Sequence, residues 1–451
     1  MQLRVKAKIT QLIAIGLFVF LVGTPAVVPS TQGLDRKGGF IDAYTPHEAI
    51  LIDGNAELAA QAAAEEWPGN GTEAAPYLIS GYYFYDITHS LEMNNVDLHW
   101  AFVGNEVDGP GDQNVWCGIE VDNSSNGIIS ENIFHGKFRG VDIIDVLNIV
   151  IANNTIEDNL LHGIGSEGFI NGCVISDNTI RRCAGAGVWS PSAFDSEISR
   201  NTITDCNGGG IQILAAAVRC QIIDNVVDGF SGIGIQIGAS TDVDIVHNRV
   251  ANGSGRGLYV TAAADIDIYN NTILNCSDYG MDLREFCDSV VHNNCITVVD
   301  GEGIALKSGD HSLVEFNDIT SCSGYGIKTY VDAANMTMTC NFLYDNGGSV
   351  QAADEGEDNA YVSNYYNDWT APDANSDGFV DLSYELDGEA SNEDLYALAD
   401  PSFVPTIPEE TSSPGTGTGE RITPVPLEII VVAAGTAVAL LAGAFILKRR
   451  G

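Results

Sequence analysis

The sequence predicts an all-β chain wound as a right-handed parallel β-helix of about eleven coils of ~23 residues, with N- and C-terminal caps and a C-terminal transmembrane helix. Three observations carry that expectation. A phrase N-x-[IV]-x6-G-[IV]-x-[IV] recurs with its asparagine at Asn105, Asn132, Asn154, Asn178, Asn201, Asn225, Asn248, Asn271, Asn294, Asn317 and Asn341; after a first step of 27, every step is 22 to 24 residues. Nine positions after the asparagine a glycine stands in eight consecutive copies, Gly163, Gly187, Gly210, Gly234, Gly257, Gly280, Gly303 and Gly326. Apolar residues three before the asparagine (Ile175, Ile198, Ile222) and two after it (Ile180, Ile203, Val227) alternate with polar ones, the period of a strand. Short strands joined by Asn and Gly corners at this repeat fit neither an antiparallel meander nor a helical solenoid. They fit coils stacked at about 4.8 Å. The asparagine is expected to bond amide to amide between coils and to take the left-handed bend itself, and the glycines to supply positive φ.

The elements follow in order. Residues 1–30 read as a signal peptide, with Arg4, Lys6 and Lys8 ahead of an apolar run; an uncleaved anchor is the rival reading. Residues 38–100 form an N-terminal cap, in which an alanine-rich helix over 56–66, behind Asn55, covers the raw edge of the first coil. Residues 101–348 are the repeats. Residues 349–400 lose the repeat, turn acidic and aromatic (Tyr361, Tyr365, Tyr366, Trp369), and read as a C-terminal cap. Residues 401–426 form a Pro/Thr/Gly stalk. Residues 427–447 read as a transmembrane helix, the uncharged stretch 429–447 being long enough to cross about 28 Å. Lys448, Arg449 and Arg450 place the tail, 448–451, in the cytoplasm and the rest outside, a single-pass cell-membrane protein with an extracellular ectodomain.

Composition excludes some function classes. Against 61 acidic residues the chain has 20 basic ones, a net charge of −41, which rules out a basic nucleic-acid groove. Residues 38–447 are more acidic still, with 12 basic and 60 acidic residues. Hydrophobic residues at 45%, with only 14 prolines, exclude a disordered or collagen-like chain.

At this point the chain resembles the NosD-type β-helix family, whose repeats occur in carbohydrate-binding proteins, sugar hydrolases and archaeal surface proteins. The resemblance covers about residues 45–402. It rests on the coils, on GNGTEAAPYLISGY (69–82) and on NYYNDWTAPDANSDGFVDLSYEL (364–386). It implies the fold and membership, not an activity, because this fold hosts binders, enzymes and structural proteins. The namesake's copper role does not carry over, since no copper-ligand motif matches.

Candidate chemistry is sparse. DANSDGFVD places Asp373, Asn375, Asp377 and Asp381 at positions 1, 3, 5 and 9 of a calcium loop, with the Phe379 carbonyl at 7; Tyr384 stands where a bidentate acid belongs. A structural Ca²⁺ is expected there, against an Asx-rich turn without metal. Ten cysteines include Cys183, Cys206, Cys276 and Cys322 at one offset, a stacked file in which Cys183 and Cys206 are close enough for a bridge. The absence of CxxC and the scattered histidines argue against structural zinc or copper.

The outward residue two after each glycine gives Trp189, Gln212, Gln236, Tyr259, Asp282 and Lys328 in file, with Arg284, Lys307 and Tyr330 beside it. Aromatics, amides and charges in register suit a polysaccharide or cell-envelope glycan; the bland alternative is a solvated β face. Residues 303–309 (GIALKSG) resemble the segment after the aspartate pair of bacterial polygalacturonases, but Gly301 and Glu302 replace the pair. Catalytic candidates reduce to Asp282, Glu302, Arg284 and Lys307. Sequons at Asn70, Asn123, Asn252, Asn275 and Asn335 are glycosylation candidates, and those at Asn153 and Asn270 are expected to be less accessible. The reading is a membrane-anchored surface protein that binds glycans or envelope components without catalysis. A polysaccharide lyase or glycoside hydrolase and a purely structural stalk are the alternatives.

Overall fold

The computed structural model describes residues 44–85, 88–109 and 116–402. From Thr45 onward they form a parallel β-solenoid. The strand after each column asparagine joins a 14-stranded sheet, as in Thr179–Arg181, Thr202–Thr204 and Val226–Asp228. The strands after the glycine and before the next asparagine share a second ladder, where they often run together, as in Ile233–Val246 and Leu258–Tyr269. Pairing is parallel and in register from coil to coil, Ile180 to Ile203 and Ile198 to Ile222. Among the described strands the antiparallel pair is a short one in the C-terminal cap, Tyr384–Glu385 with Glu393–Asp394, with isolated antiparallel bridges at Thr72–Ala75 and Phe379–Leu398.

Alternation decides what is buried. The inward aliphatics Ile175, Ile180, Ile198, Ile203, Ile222 and Val227 are at most 1% exposed, and they belong to one core running the length of the stack. Each packs on its counterparts one coil away, so burial is shared between neighbouring repeats.

The asparagine column behaves as predicted in its bonding. The Asn201 N–H donates to Asn225 Oδ1 (3.0 Å), as does Asn201 Nδ2 (3.0 Å), and that Nδ2 also reaches the Ile175 carbonyl (2.9 Å). The pattern repeats from Asn105 and extends to a twelfth asparagine, Asn364, beyond the eleven of the sequence phrase. Asp394, fully buried, ends the column by accepting from the backbone N–H of Ser363 and Asn364 and from Asn364 Nδ2. Coil pairing likewise continues past 348 through Tyr365–Tyr366.

Two expectations about backbone geometry are corrected. The left-handed residue is the one before each column asparagine, not the asparagine: Asp177 (φ 58°), Arg200 (54°), Asp224 (56°) and His247 (55°). Nor do the column glycines serve positive φ. They serve close approach: a Cβ on Gly303 would lie 2.4 Å from Ile319 Cγ2 and 2.6 Å from the Gly326 carbonyl oxygen, so any side chain there would wedge adjacent coils apart.

The helix is Asn55–Ala64, with Gly54 rather than Asn55 at its N-cap; Leu58 and Ala62 bury into the core. Asn55 Oδ1 instead accepts from the backbone N–H of Asp97 (3.0 Å). All ten cysteines are free thiols and eight are buried, so Cys183 and Cys206 meet as thiols and not as a bridge. Among the described residues no helix is long and apolar enough to cross a membrane. The signal peptide, nearly all of the stalk, the transmembrane segment and the tail lie outside the described residues.

Replacing one column asparagine strands two donors and a carbonyl of the preceding coil in a dry interior. Asn225→Ala should cost about 3 kcal/mol, read as a lowered denaturant midpoint; a loss within error would show that the column does not hold the coils.

Candidate functional site

Register turns sequence offsets into surface columns. The outward position two after the glycine is a continuous ladder: Trp189 pairs with Gln212, Gln212 with Gln236, Gln236 with Tyr259, Tyr259 with Asp282, Asp282 with Ala305 and Ala305 with Lys328. The position just before the glycine forms a second column, which includes Arg256, Tyr279, Glu302 and Tyr325. Backbone bonds join its members through the glycines, Gly257 N to the Tyr279 carbonyl (3.0 Å) and Gly280 N to the Glu302 carbonyl (3.0 Å). Arg284, Lys307 and Tyr330, four after the glycine, stand on the other side.

Where these columns meet, charge and aromatic rings interlock. Asp282 is fully buried and receives three cations: Arg284 through Nη2 (2.9 Å) and Nε (3.1 Å), Arg256 Nε at 3.1 Å and Lys307 Nζ at 3.6 Å. The Arg256 and Arg284 guanidinium carbons lie 4.8 and 5.4 Å from the centre of the Tyr259 ring. Lys307 Nζ sits 3.8 Å from the Tyr279 ring centre, and Lys328 Nζ 4.5 Å from that of Tyr330. Each such contact contributes about 0.5–1 kcal/mol at a part-exposed site. Lys328 also pairs with Glu355 at 2.9 Å, and Tyr325 donates to Asp387 at 2.9 Å, which ties the patch to the C-terminal cap.

The titration behaviour suits holding a ligand more than moving a proton. The bond to Asp282 holds the Arg284 guanidinium above its usual range. Burial, then the charge of Glu302, pushes the Tyr330 phenol well up, so it remains a donor to Glu302 Oε1 at 3.1 Å. Asp282 spends its oxygens on cations in a site without solvent access, which is poor placement for a general base.

Tyr259, Asp282, Arg284, Lys307, Lys328 and Tyr330 thus converge as their offsets suggest, with Glu302 against Tyr330. Gln236 adjoins Tyr259 on the ladder and is half-buried. Gln212 does not present its amide, because Nε2 donates back to the Gly208 carbonyl (2.8 Å). Trp189 lies four ladder steps from Asp282, about 19 Å, and is stacked flat on His162 (centroids 5.1 Å, planes 6° apart), so one face is taken. Arg256, Tyr279 and Tyr325 were missed. The signal was present, since they recur at steps of 23 like the glycine they precede.

The 373–381 loop turns at Gly378 (φ 90°). Asp373 accepts from the N–H of Asp377 and Gly378, Asp377 from that of Phe379, and Asp381 from that of Ala374, while Asn375 Nδ2 donates to Asp377. Asn70, Asn123, Asn252, Asn275 and Asn335 are all exposed. Asn153 and Asn270 are exposed too, contrary to expectation, because they occupy the left-handed corner ahead of the column and point outward.

A family model described as a right-handed β-helix region matches residues 89–229 and 210–366. No curated protein matches the sequence. Among solved structures, the A-module of the Azotobacter vinelandii mannuronan C-5 epimerase AlgE6 is similar over 69% of this chain and 96% of its own, at 12% identity and a TM-score of 0.44. The periplasmic alginate epimerase AlgG (12% identity, 69% and 77% covered, TM-score 0.35) and an alginate lyase from Paenibacillus sp. str. FPU-7 (12%, 69% and 98%, 0.33) are similar as well. At these identities the likeness is one of fold.

His162, in the column before the glycine, gives a pH test of this face. Burial, then the charge of Arg139, lowers its imidazole from 6.5 to about 4, and Nδ1 accepts from the Ala186 N–H (3.0 Å). Between those values the unfolded chain binds the proton more readily than the folded one, so stability falls as pH drops from about 6.5 to about 4. Thermal melts across that window should fall less steeply in His162→Gln than in the parent; identical slopes would refute the assignment.

Proposed function

The chain belongs to the right-handed β-helix family, and on that scaffold we propose a glycan-binding protein of the cell surface that performs no catalysis of its own. The observation that carries this reading is the patch of Tyr259, Tyr279, Tyr325 and Tyr330 interleaved with Arg256, Arg284, Lys307 and Lys328 on three columns about 4.8 Å per step apart. Ring faces at that spacing offer stacking surfaces to successive sugars, and the cations' remaining N–H groups offer donors to hydroxyls or carboxylates. In a chain with net charge −41, four cations gathered here moderate the repulsion that an acidic glycan meets elsewhere. The ligand runs along the stack, past Gln236 toward Trp189. The charged residues serve binding: Asp282 orients three cations and Glu302 orients Tyr330.

The setting is part of the same proposal. A signal segment, a stalk and an apolar stretch ended by Lys448, Arg449 and Arg450 support a membrane-anchored ectodomain. The leading and exit segments support a NosD-type, archaeal surface protein. Exposure of the five sequons supports glycosylation. Carboxylates that each accept only one or two N–H groups keep lone pairs for Ca²⁺ in the 373–381 loop, and calorimetry should register binding at sub-millimolar to millimolar affinity that Asp377→Ala removes; absence of heat in the parent would refute it.

A glycan array probed with residues 38–410 tests the main reading. Acidic polysaccharides should bind, Tyr279→Ala and Lys307→Ala should each weaken binding about tenfold or more, and Trp189→Ala should matter less. Silence on every glycan would leave a structural stalk. Shortened or unsaturated products would make the protein an enzyme.

A further inference from the structure

The two outward columns continue to the N-terminal coils, where they carry different chemistry. Cys117 stands just before Gly118, whose neighbour Ile119 pairs with Val141, and Glu120 pairs directly with Asp142. One ligand atom from each of Cys117, Glu120 and Asp142 lies within 4.8 Å of the others. Cys117 is 1% exposed and Asp142 3%, whereas Glu120 keeps an opening to solvent. Cys117 Sγ is 3.5 Å from Asp142 Oδ2, close to the roughly 3.6 Å that sulfur and oxygen adopt on a shared tetrahedral zinc. Oδ2, the oxygen nearest the thiol, is shared with Arg139, whereas Oδ1, which lies on the Gly165 side, has no hydrogen-bond partner among the described residues. An unpartnered oxygen on a buried carboxylate is costly to leave unused. His89 stands beside Glu120, Nε2 to Oε2 3.3 Å. The local charge also favours a cation: Asp142 and Glu167 share the Arg139 guanidinium, while Glu92 and Glu120 flank His89.

We propose that Cys117, Glu120 and Asp142 bind a zinc-class divalent cation beside His89. One thiolate and two carboxylates form a borderline donor set suited to Zn²⁺ or Co²⁺ and poorly suited to Ca²⁺ or Mg²⁺. Three protein ligands leave a tetrahedral position open on the outer face, the arrangement of a site that takes water or an anionic ligand group. Linear spacing is blind to this site, because the ligands come from positions 117, 120 and 142 on two coils.

Cobalt titration of the reduced full-length chain tests it. A sulfur-to-cobalt charge-transfer band in the near ultraviolet should appear, be displaced by Zn²⁺ and vanish in Cys117→Ser. Glu120→Gln changes a part-exposed residue, leaves the core intact, and should weaken Co²⁺ about tenfold or more. Arg256→Ala, in the distant patch, should leave the band unchanged. Absence of the band from the parent, or its survival in both Cys117→Ser and Glu120→Gln, would overturn the proposal.

Discussion

Every feature of this solenoid depends on coils meeting in register at the corner, and the asparagine column is what holds that corner. Each side chain accepts through its oxygen from the asparagine of the preceding coil and donates through its nitrogen both to a carbonyl of that coil and to the next asparagine, so adjacent coils share fixed bonds as well as apolar area. A slip of one residue would turn the aliphatic file outward and leave the amides unpaired in a dry interior. The glycine column is the complementary constraint. It forbids a Cβ where one coil's backbone passes under the next coil's Ile or Val, as at Gly210 and Val227 or Gly234 and Val250. Buried Asp394 supplies at the C-terminal end the acceptor that a thirteenth asparagine would have supplied.

Strict register also governs the electrostatics, since a charge repeated at one offset faces its own copies at about 4.8 Å. The acidic surface meets this by alternation. Asp158 faces Arg182, Asp177 faces Arg200 and Asp195 faces Arg219, each across one coil. Those pairs are exposed and contribute little individually. Asp282 is a different case. Burying its carboxylate carries a desolvation cost that only close cations offset, and removing any one of them leaves charge uncompensated in the interior. What the arrangement supplies is fixed geometry: a buried anion gathers Arg256, Arg284 and Lys307 over tyrosine rings where mutual repulsion would otherwise spread them.

Much of this was legible in the sequence for a physical reason. In a stacked fold, equal offset means adjacency, so Tyr259, Asp282 and Lys328 were placed on one ladder by counting alone. Counting fails where the answer depends on local backbone geometry. It located the bend but assigned it to the column asparagine, because Asn tolerates left-handed φ; the chain bends one residue earlier, at Asp177, Arg200, His247 or a second asparagine such as Asn153 and Asn270, and reserves the column asparagine for bonding. It found the invariant glycine but took freedom of φ for what is a steric exclusion. Side-chain direction was equally out of reach. Gln212 sits on the ladder yet folds back to its own turn, and Arg256 and Tyr279 face the patch from a column whose 23-residue recurrence is legible but whose direction simple in-out alternation does not give.

A solenoid lets one face carry separate tasks because each coil answers mainly to its two neighbours. Asp142 and Asp282 are six steps apart on the same ladder, about 29 Å, both buried, both tied to an arginine from the column before the glycine. Their surroundings then diverge. Around Asp142 a thiol, a histidine and further carboxylates leave an oxygen unsatisfied and negative charge in excess; around Asp282 a second arginine and a lysine consume both oxygens and rings fill the flanks. The same backbone position is therefore turned toward a cation at one end and toward a glycan at the other by the residues one offset away, with no change in the coil that presents it.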